Sequence, residues 1–325
     1  MTQDRNVDLV LEGGGVRGIA LLGAVLRLSD AGYRFPRVAG TSAGAIVAAF
    51  VAAYQRAGRD LHELEDVLRK APLPELVDEP ALQRATGPVG DGVALLLHNG
   101  MHDTDRLTAW VADELAAVGV RTFADLRLAP DPGGTLLSYQ RYSLVVHTSD
   151  LTRRVLVRLP WDYDRYDLVA DDQRVADAVC ASAATPFFFR PVQQPTGRGM
   201  ATWIDGGLLS NFPITVFDRT DDRPPRWPTW GIKLSGPPVP RPDDPVRTPL
   251  GVAVACLQTL VNDEANRYHL DDEGVNRRTV FVDADEIPAL DFTLPAAQQD
   301  ELFRRGVRAA ERFLDRIRPA RRGLA

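Results

Sequence analysis

At 325 residues the chain can bury a sizeable core, and 45% hydrophobic with 25% charged residues is ordinary for a globular enzyme. A net charge of −6 gives no basic footprint for nucleic acid. Two cysteines, Cys180 and Cys256, exclude a disulfide framework at this length, and no apolar run approaches the ~18 residues of a spanning helix.

The elements begin with residues 7–11, a short apolar run before a glycine cluster, which reads as a buried strand. Residues 13–18 are a loop. Residues 19–31 are Ala/Leu-rich and stop at Gly32, the pattern of a helix with a C-terminal glycine. Residues 37–39 form a second strand and 43–57 a second helix. Strand, helix, strand, helix predicts a parallel sheet with crossover helices. Residues 58–140 alternate helical stretches (61–70, 104–118) with Pro/Gly breaks and are expected to form a mostly helical insertion over the sheet. Strands are predicted at 142–148, 154–159, 202–205, 230–234 and 279–282, and a helix at 171–182. Residues 223–249 crowd prolines into a surface loop. Residues 298–317 carry Leu302, Phe303, Ala310, Phe313, Leu314 and Ile317 on one face of an amphipathic helix, and 319–325 read as a frayed basic tail. One domain is expected. The first residues lack the apolar segment and cleavage site of a signal peptide, so the expected location is cytoplasmic.

Gly13, Gly15 and Gly18 fit G-x-G-x-x-G between a strand and a helix. A dinucleotide site would also want a carboxylate at the end of the second strand, for the ribose. That strand instead runs Val38-Ala39-Gly40 into Thr41-Ser42, which disfavours a dinucleotide-dependent oxidoreductase. Convergent amides ahead of a helix N-terminus still bind an anion. In acyl transfer that anion is the tetrahedral oxyanion, where one donor is worth about 3 kcal/mol. Arg17 would add positive potential.

Gly40-Thr41-Ser42-Ala43-Gly44 is G-x-S-x-G at a strand end and helix start, the context of a nucleophile elbow. The serine takes a strained conformation there, so the residues two positions away must lack side chains. None of the five histidines, His62, His98, His102, His147 and His269, lies in a loop suited to a general base. Asp205, in Ile204-Asp205-Gly206-Gly207, is delivered by an apolar strand to a glycine turn that permits close approach. Desolvation would raise its basicity, and a dyad needs only one hydrogen bond to the serine. No metal-binding motif occurs.

Gly13-Gly14-Gly15-Val16-Arg17-Gly18, then Gly40-Thr41-Ser42-Ala43-Gly44, then Asp205-Gly206-Gly207 resemble, in order and spacing, three signatures of patatin-like phospholipases. Ala181-Ser182-Ala183-Ala184-Thr185-Pro186-Phe187-Phe188-Phe189 is similar to the A-S-x-A-x-P-x-x-F segment that precedes the family's aspartate. The resemblance implies a three-layer α/β/α sandwich with a mainly parallel sheet. It implies Ser42 as nucleophile, Asp205 as base, the 13–18 loop as oxyanion hole, and Gly40, Gly44, Gly206 and Gly207 as motif support. The implied chemistry is hydrolysis of phospholipid, lysophospholipid or neutral lipid esters without cofactor or metal, at a membrane or micelle surface met transiently. The competing reading is a catalytically silent lipid-binding or regulatory module on the same fold. Residues 93–97, five apolar residues in a row between Gly92 and Gly100, read as a buried helix segment or as a flap over Ser42.

Overall fold

The computed structural model describes residues 5–72, 104–129, 136–234 (187, 220, 222 and 224 apart) and 273–317 (285 apart). The postulated flap, the proline-rich stretch from 235 to 249, Cys256, His98, His102, His269 and the basic tail lie outside the described residues.

The expected α/β class with a mainly parallel central sheet is the fold the chain adopts. Eight strands make one sheet: β1 (Asp8–Leu11), β2 (Val38–Thr41), β3 (Leu144–Asp150), β4 (Val155–Leu159), β5 (Val192–Thr196), β6 (Gly199–Asp205), β7 (Thr229–Lys233) and β8 (Thr279–Phe281). Five of them, in the order β3-β2-β1-β7-β8, run parallel. Every residue of β1, β2, β3 and β7 is buried, which is why these segments read as short continuous runs rather than as alternating ones. Residues 37–39, 202–205, 230–234 and 279–282, predicted as strands, fall on β2, β6, β7 and β8 within a few positions at each end.

β4, β5 and β6 add antiparallel pairs at the β3 side. β5 has no counterpart in the sequence reading. Its residues, Val-Gln-Gln-Pro-Thr, alternate only between half-buried and exposed, so no apolar pattern announces it. The hairpin to β6 and the edge position, where a proline costs no ladder bond, explain it.

The helices are α1 (Gly18–Asp30), α2 (Ala43–Ala57), α3 (Glu63–Arg69), α4 (Asp105–Ala117), α5 (Val175–Ala183), α6 (Glu273–Arg277) and α7 (Ala296–Ile317). α7 buries Leu302, Ala309, Ala310, Phe313 and Leu314, and packs along α1. α2 packs against α5, and α4 lies across α5. Of the predicted insertion, α3, α4 and the 3-10 turn Phe123–Leu126 are described, while 73–103 are not. Residues 171–174, predicted as the start of α5, belong instead to a 3-10 turn and its exit. Among the described residues no helix is long and apolar enough to cross a membrane.

The register of β3 with its neighbours positions the site. β4 occupies one edge of β3 over residues 146–150. β2 and β6 must therefore share the other edge. β2 runs parallel to β3 and ends with Thr41 opposite His147. β6 runs the other way and ends with Asp205 opposite Thr148. The C-terminal ends of β2 and β6 thus meet head to head on adjacent residues of β3.

Candidate active site

The chain turns from β2 into α2 through a single residue, Ser42, with φ 53° and ψ −125°. Such a conformation costs a side-chain-bearing residue on the order of 1–3 kcal/mol, so the surroundings must impose it. The two flanking glycines show how. A Cβ on Gly40 would lie 2.2 Å from the Gly44 carbonyl oxygen, and one on Gly44 would lie 2.5 Å from the carbonyls of both Leu11 and Glu12. The bend is closed against β1 and against itself. Ser42 is also held by its backbone: its N–H donates to Ser182 Oγ at 2.9 Å, and that hydroxyl donates to the His147 carbonyl at 2.6 Å.

Asp205 caps the end of β6. One carboxylate oxygen accepts the Gly207 N–H at 2.7 Å, and the other accepts the Thr185 hydroxyl at 3.0 Å. Ser42 lines the same cavity as this carboxylate, and its side chain is among the groups that lower the Asp205 pKa. Asp205 is 6% exposed. Burial pushes its pKa above the ordinary carboxylate value, and the interactions with Gly207, Ser42 and Thr185 offset only part of that rise. Gly206 lets the turn pass close over β3, since a Cβ there would be 2.2 Å from the His147 carbonyl oxygen.

The glycine loop lies on the other side of Ser42: a Cβ on Gly13 would stand 3.2 Å from Ser42 Cβ. Four of its amides are engaged by protein carbonyls. Gly13 N–H donates to Asn211 O at 3.0 Å, Val16 N–H to Ala289 O at 2.9 Å, Arg17 N–H to Gly14 O at 3.2 Å, and Gly18 N–H to Gly15 O. The amides of Gly14 and Gly15 donate to no acceptor among the described residues. Gly15 sits at φ +56° directly beneath the Ala289 carbonyl, a position open only to glycine. The Arg17 guanidinium is turned to the Ile287 carbonyl, Nε to O 2.6 Å, and still borders the same cavity.

Gly13, Gly14, Gly15, Ser42 and Asp205 all line one cavity of about 440 Å³, which Asn211, Thr185, Phe189, Leu290 and Phe292 complete. No described histidine hydrogen-bonds Ser42 or Asp205. His62 pairs with Asp30 on the surface. His147 is wholly buried in β3, bonded to the Gly40 backbone, and burial pushes its pKa down to about 4.

Three further residues hold the site. Ser182 fixes the Ser42 amide, and Thr185 binds Asp205. Both lie in the 181–189 segment noted for its resemblance, but their partners were not legible. Asn211 clamps Gly13 from both sides, accepting its N–H and donating Nδ2–H to its carbonyl at 3.2 Å. Nothing in the sequence marks it.

A family model described as patatin-like phospholipase matches residues 9–218. The uncharacterized protein YqhO of Bacillus subtilis (strain 168) is 35% identical over 310 residues, which cover 95% of this chain and 98% of that protein. The uncharacterized membrane protein Rv3479 of Mycobacterium tuberculosis is 29% identical over 69% of this chain, a stretch spanning 24% of that protein. Two solved structures share the fold. VipD from Legionella pneumophila superposes with a TM-score of 0.51 at 16% identity, over 96% of this chain and 67% of that one. A chain of the heterodimeric ExoU–SpcU complex from the type III secretion system of Pseudomonas aeruginosa gives 0.53 at 20% identity, over 97% of this chain and 52% of that one.

Proposed function

The chain belongs to the patatin-like phospholipase family, and from that premise we propose that it hydrolyses lipid acyl esters through a Ser42–Asp205 dyad and an acyl-enzyme intermediate. The observation that carries this reading is that Ser42 and a buried, raised-pKa Asp205 line one cavity together with Gly14 and Gly15, whose amides donate to no acceptor among the described residues.

The chemistry follows from the positions. Asp205 takes the Ser42 proton as Oγ attacks the ester carbonyl carbon. The carbonyl oxygen becomes an oxyanion, held by the Gly14 and Gly15 N–H groups. The electron pair returns, the bond to the leaving alcohol breaks, and Asp205 gives the alcohol oxygen its proton. Water then attacks the acylated Ser42 in the same way, with Asp205 again as base. The product is a free fatty acid and Ser42 is restored. Engagement of the other four loop amides fixes the direction of the remaining two, so the charge that develops meets donors already oriented.

The substrate sits in a membrane or micelle, and the protein meets that surface transiently. Leu290 on the cavity wall and Leu209 beside it are both more than 40% exposed, which supports an apolar rim for the contact. The test is hydrolysis of a panel of phospholipid, lysophospholipid and neutral lipid by wild type and Ser42→Ala, with fluorophosphonate labelling alongside. Turnover and labelling that both vanish in Ser42→Ala support the proposal. A wild-type protein that binds lipid but neither labels nor turns over is the silent module instead.

A further inference from the structure

A second cavity, about 220 Å³, lies next to the first and plays no part in the chemistry above. The two linings share Gly15, Ala43, Ile46 and Phe292. Beyond that neck the walls are Val16, Ile19, Val47, Leu68, Trp110 and Leu294. The polar side chains at its border are already satisfied. Arg69 is paired with Glu65 and Asp300, each at 2.8 Å, and Gln299 Nε2 donates to the Leu294 carbonyl at 3.0 Å. The space therefore offers contact to hydrocarbon and little to a polar group.

We propose that this cavity is the acyl-chain subsite and that the alcohol portion of the ester stays in the Ser42–Asp205 cavity. The assignment rests on the hydrolase reading and follows from its proton accounting. Asp205 must reach the leaving oxygen to protonate it, and Asp205 lines the first cavity and not the second. The carbonyl carbon lies between Ser42 Oγ and the Gly14 and Gly15 amides. Its remaining substituent, the acyl chain, then passes the small residues Gly15 and Ala43 into the second cavity. Each methylene buried there raises affinity about fourfold until the walls of Trp110 and Leu68 are reached.

Trp110 gives a direct readout, since its ring borders the cavity and packs edge-on to Phe50 with ring centroids 5.4 Å apart. The probe is 9,10-dibromostearate, whose bromines quench a tryptophan they touch, added to the Ser42→Ala protein. Quenching that is lost in Ser42→Ala/Trp110→Phe is the expected result; quenching unchanged by Trp110→Phe, or none at all, overturns the proposal. The kinetic counterpart is the ratio of kcat/KM for p-nitrophenyl dodecanoate to that for the butyrate. Val47→Phe, which fills the cavity from α2, and Leu68→Trp, which fills it from α3, should each lower that ratio at least tenfold. Two folded variants with the wild-type ratio would sink the assignment. Trp110 quenching without any ester turnover would keep the subsite and refute the hydrolase, whereas Ser42-dependent turnover without Trp110 quenching would do the reverse.

Discussion

The backbone amide of Ser42 donates to the hydroxyl of Ser182, a residue 140 positions later, and that hydroxyl in turn donates to the carbonyl of His147. The strained bend is thereby tied to α5 and β3 at once. Ser182→Ala removes the acceptor and leaves a buried N–H unpaired, which costs about 1–3 kcal/mol. Because the bend itself loosens, kcat should fall roughly tenfold to a hundredfold while KM changes little. A Ser182→Ala enzyme with wild-type kcat and a lowered melting temperature would make Ser182 a packing residue only.

Ser42→Ala and Asp205→Asn should each abolish turnover of a p-nitrophenyl ester, and the double variant should lose no more than either single one, because the two act as one unit. Ser42→Ala keeps a Cβ at φ 53° and so keeps the strain. Ser42→Gly removes it and should unfold at higher temperature than Ser42→Ala, by about 1 kcal/mol in stability. Thermal melts of the two inactive proteins check this. Equal melting points would mean that the bend stores no strain.

The pH dependence has two parts with different owners. Burial raises the Asp205 pKa, and the base of the proposed dyad must be ionised, so kcat/KM should fall as pH drops through a value above the usual carboxylate range. Replacing His147 with Gln should leave that profile in place; an acid limb that moves with His147 would return a histidine to the chemistry. Stability behaves otherwise. His147 is held neutral with a pKa near 4, against 6.5 when unfolded. The unfolded chain binds the extra proton, so the stability this ring contributes is intact above pH 6.5. It is lost as pH falls from there toward 4, by about 1.4 kcal/mol per pH unit. Denaturation curves at pH 7 and pH 5 should show a smaller difference in His147→Gln than in wild type.

Glu12 closes β1 just ahead of the glycine loop, and its buried carboxylate holds both Lys233 Nζ and the Leu234 N–H. Leu234 in turn packs on Gly14, where a Cβ would lie 2.4 Å from its Cδ1. Lys233→Met strands the carboxylate and should destabilise the fold by about 3–5 kcal/mol, while Glu12→Gln/Lys233→Met should recover much of that loss. A double-mutant cycle in denaturant measures the coupling. Additive losses would show that the two charges are independent.

The sequence by itself determined the parts whose physics is local. A strand that must turn into a helix through one residue tolerates no side chain two positions to either side, so Gly40 and Gly44 single out Ser42 within five residues. Runs of buried strand and Ala-rich helix likewise carry the α/β class, because burial on both faces leaves a continuous apolar stretch. Asp205 was legible only as an aspartate before two glycines, together with a family likeness. Its meeting with Ser42 depends on β2 and β6 ending on neighbouring residues of β3, and strand register is a property of pairing, not of either strand. The glycine loop announced six amides; the tertiary structure decided which are unengaged, because the acceptors that occupy Gly13 and Val16, the carbonyls of Asn211 and Ala289, come from distant loops. Ser182 and Thr185 are ordinary helix-end residues until the sheet brings Ser42 and Asp205 within reach of their hydroxyls. Hydrogen-bond partners 20 residues apart, as Thr185 and Asp205 are, or 140 apart, as Ser42 and Ser182 are, leave no periodicity in the chain, and only packing of the sheet against α2 and α5 selects them.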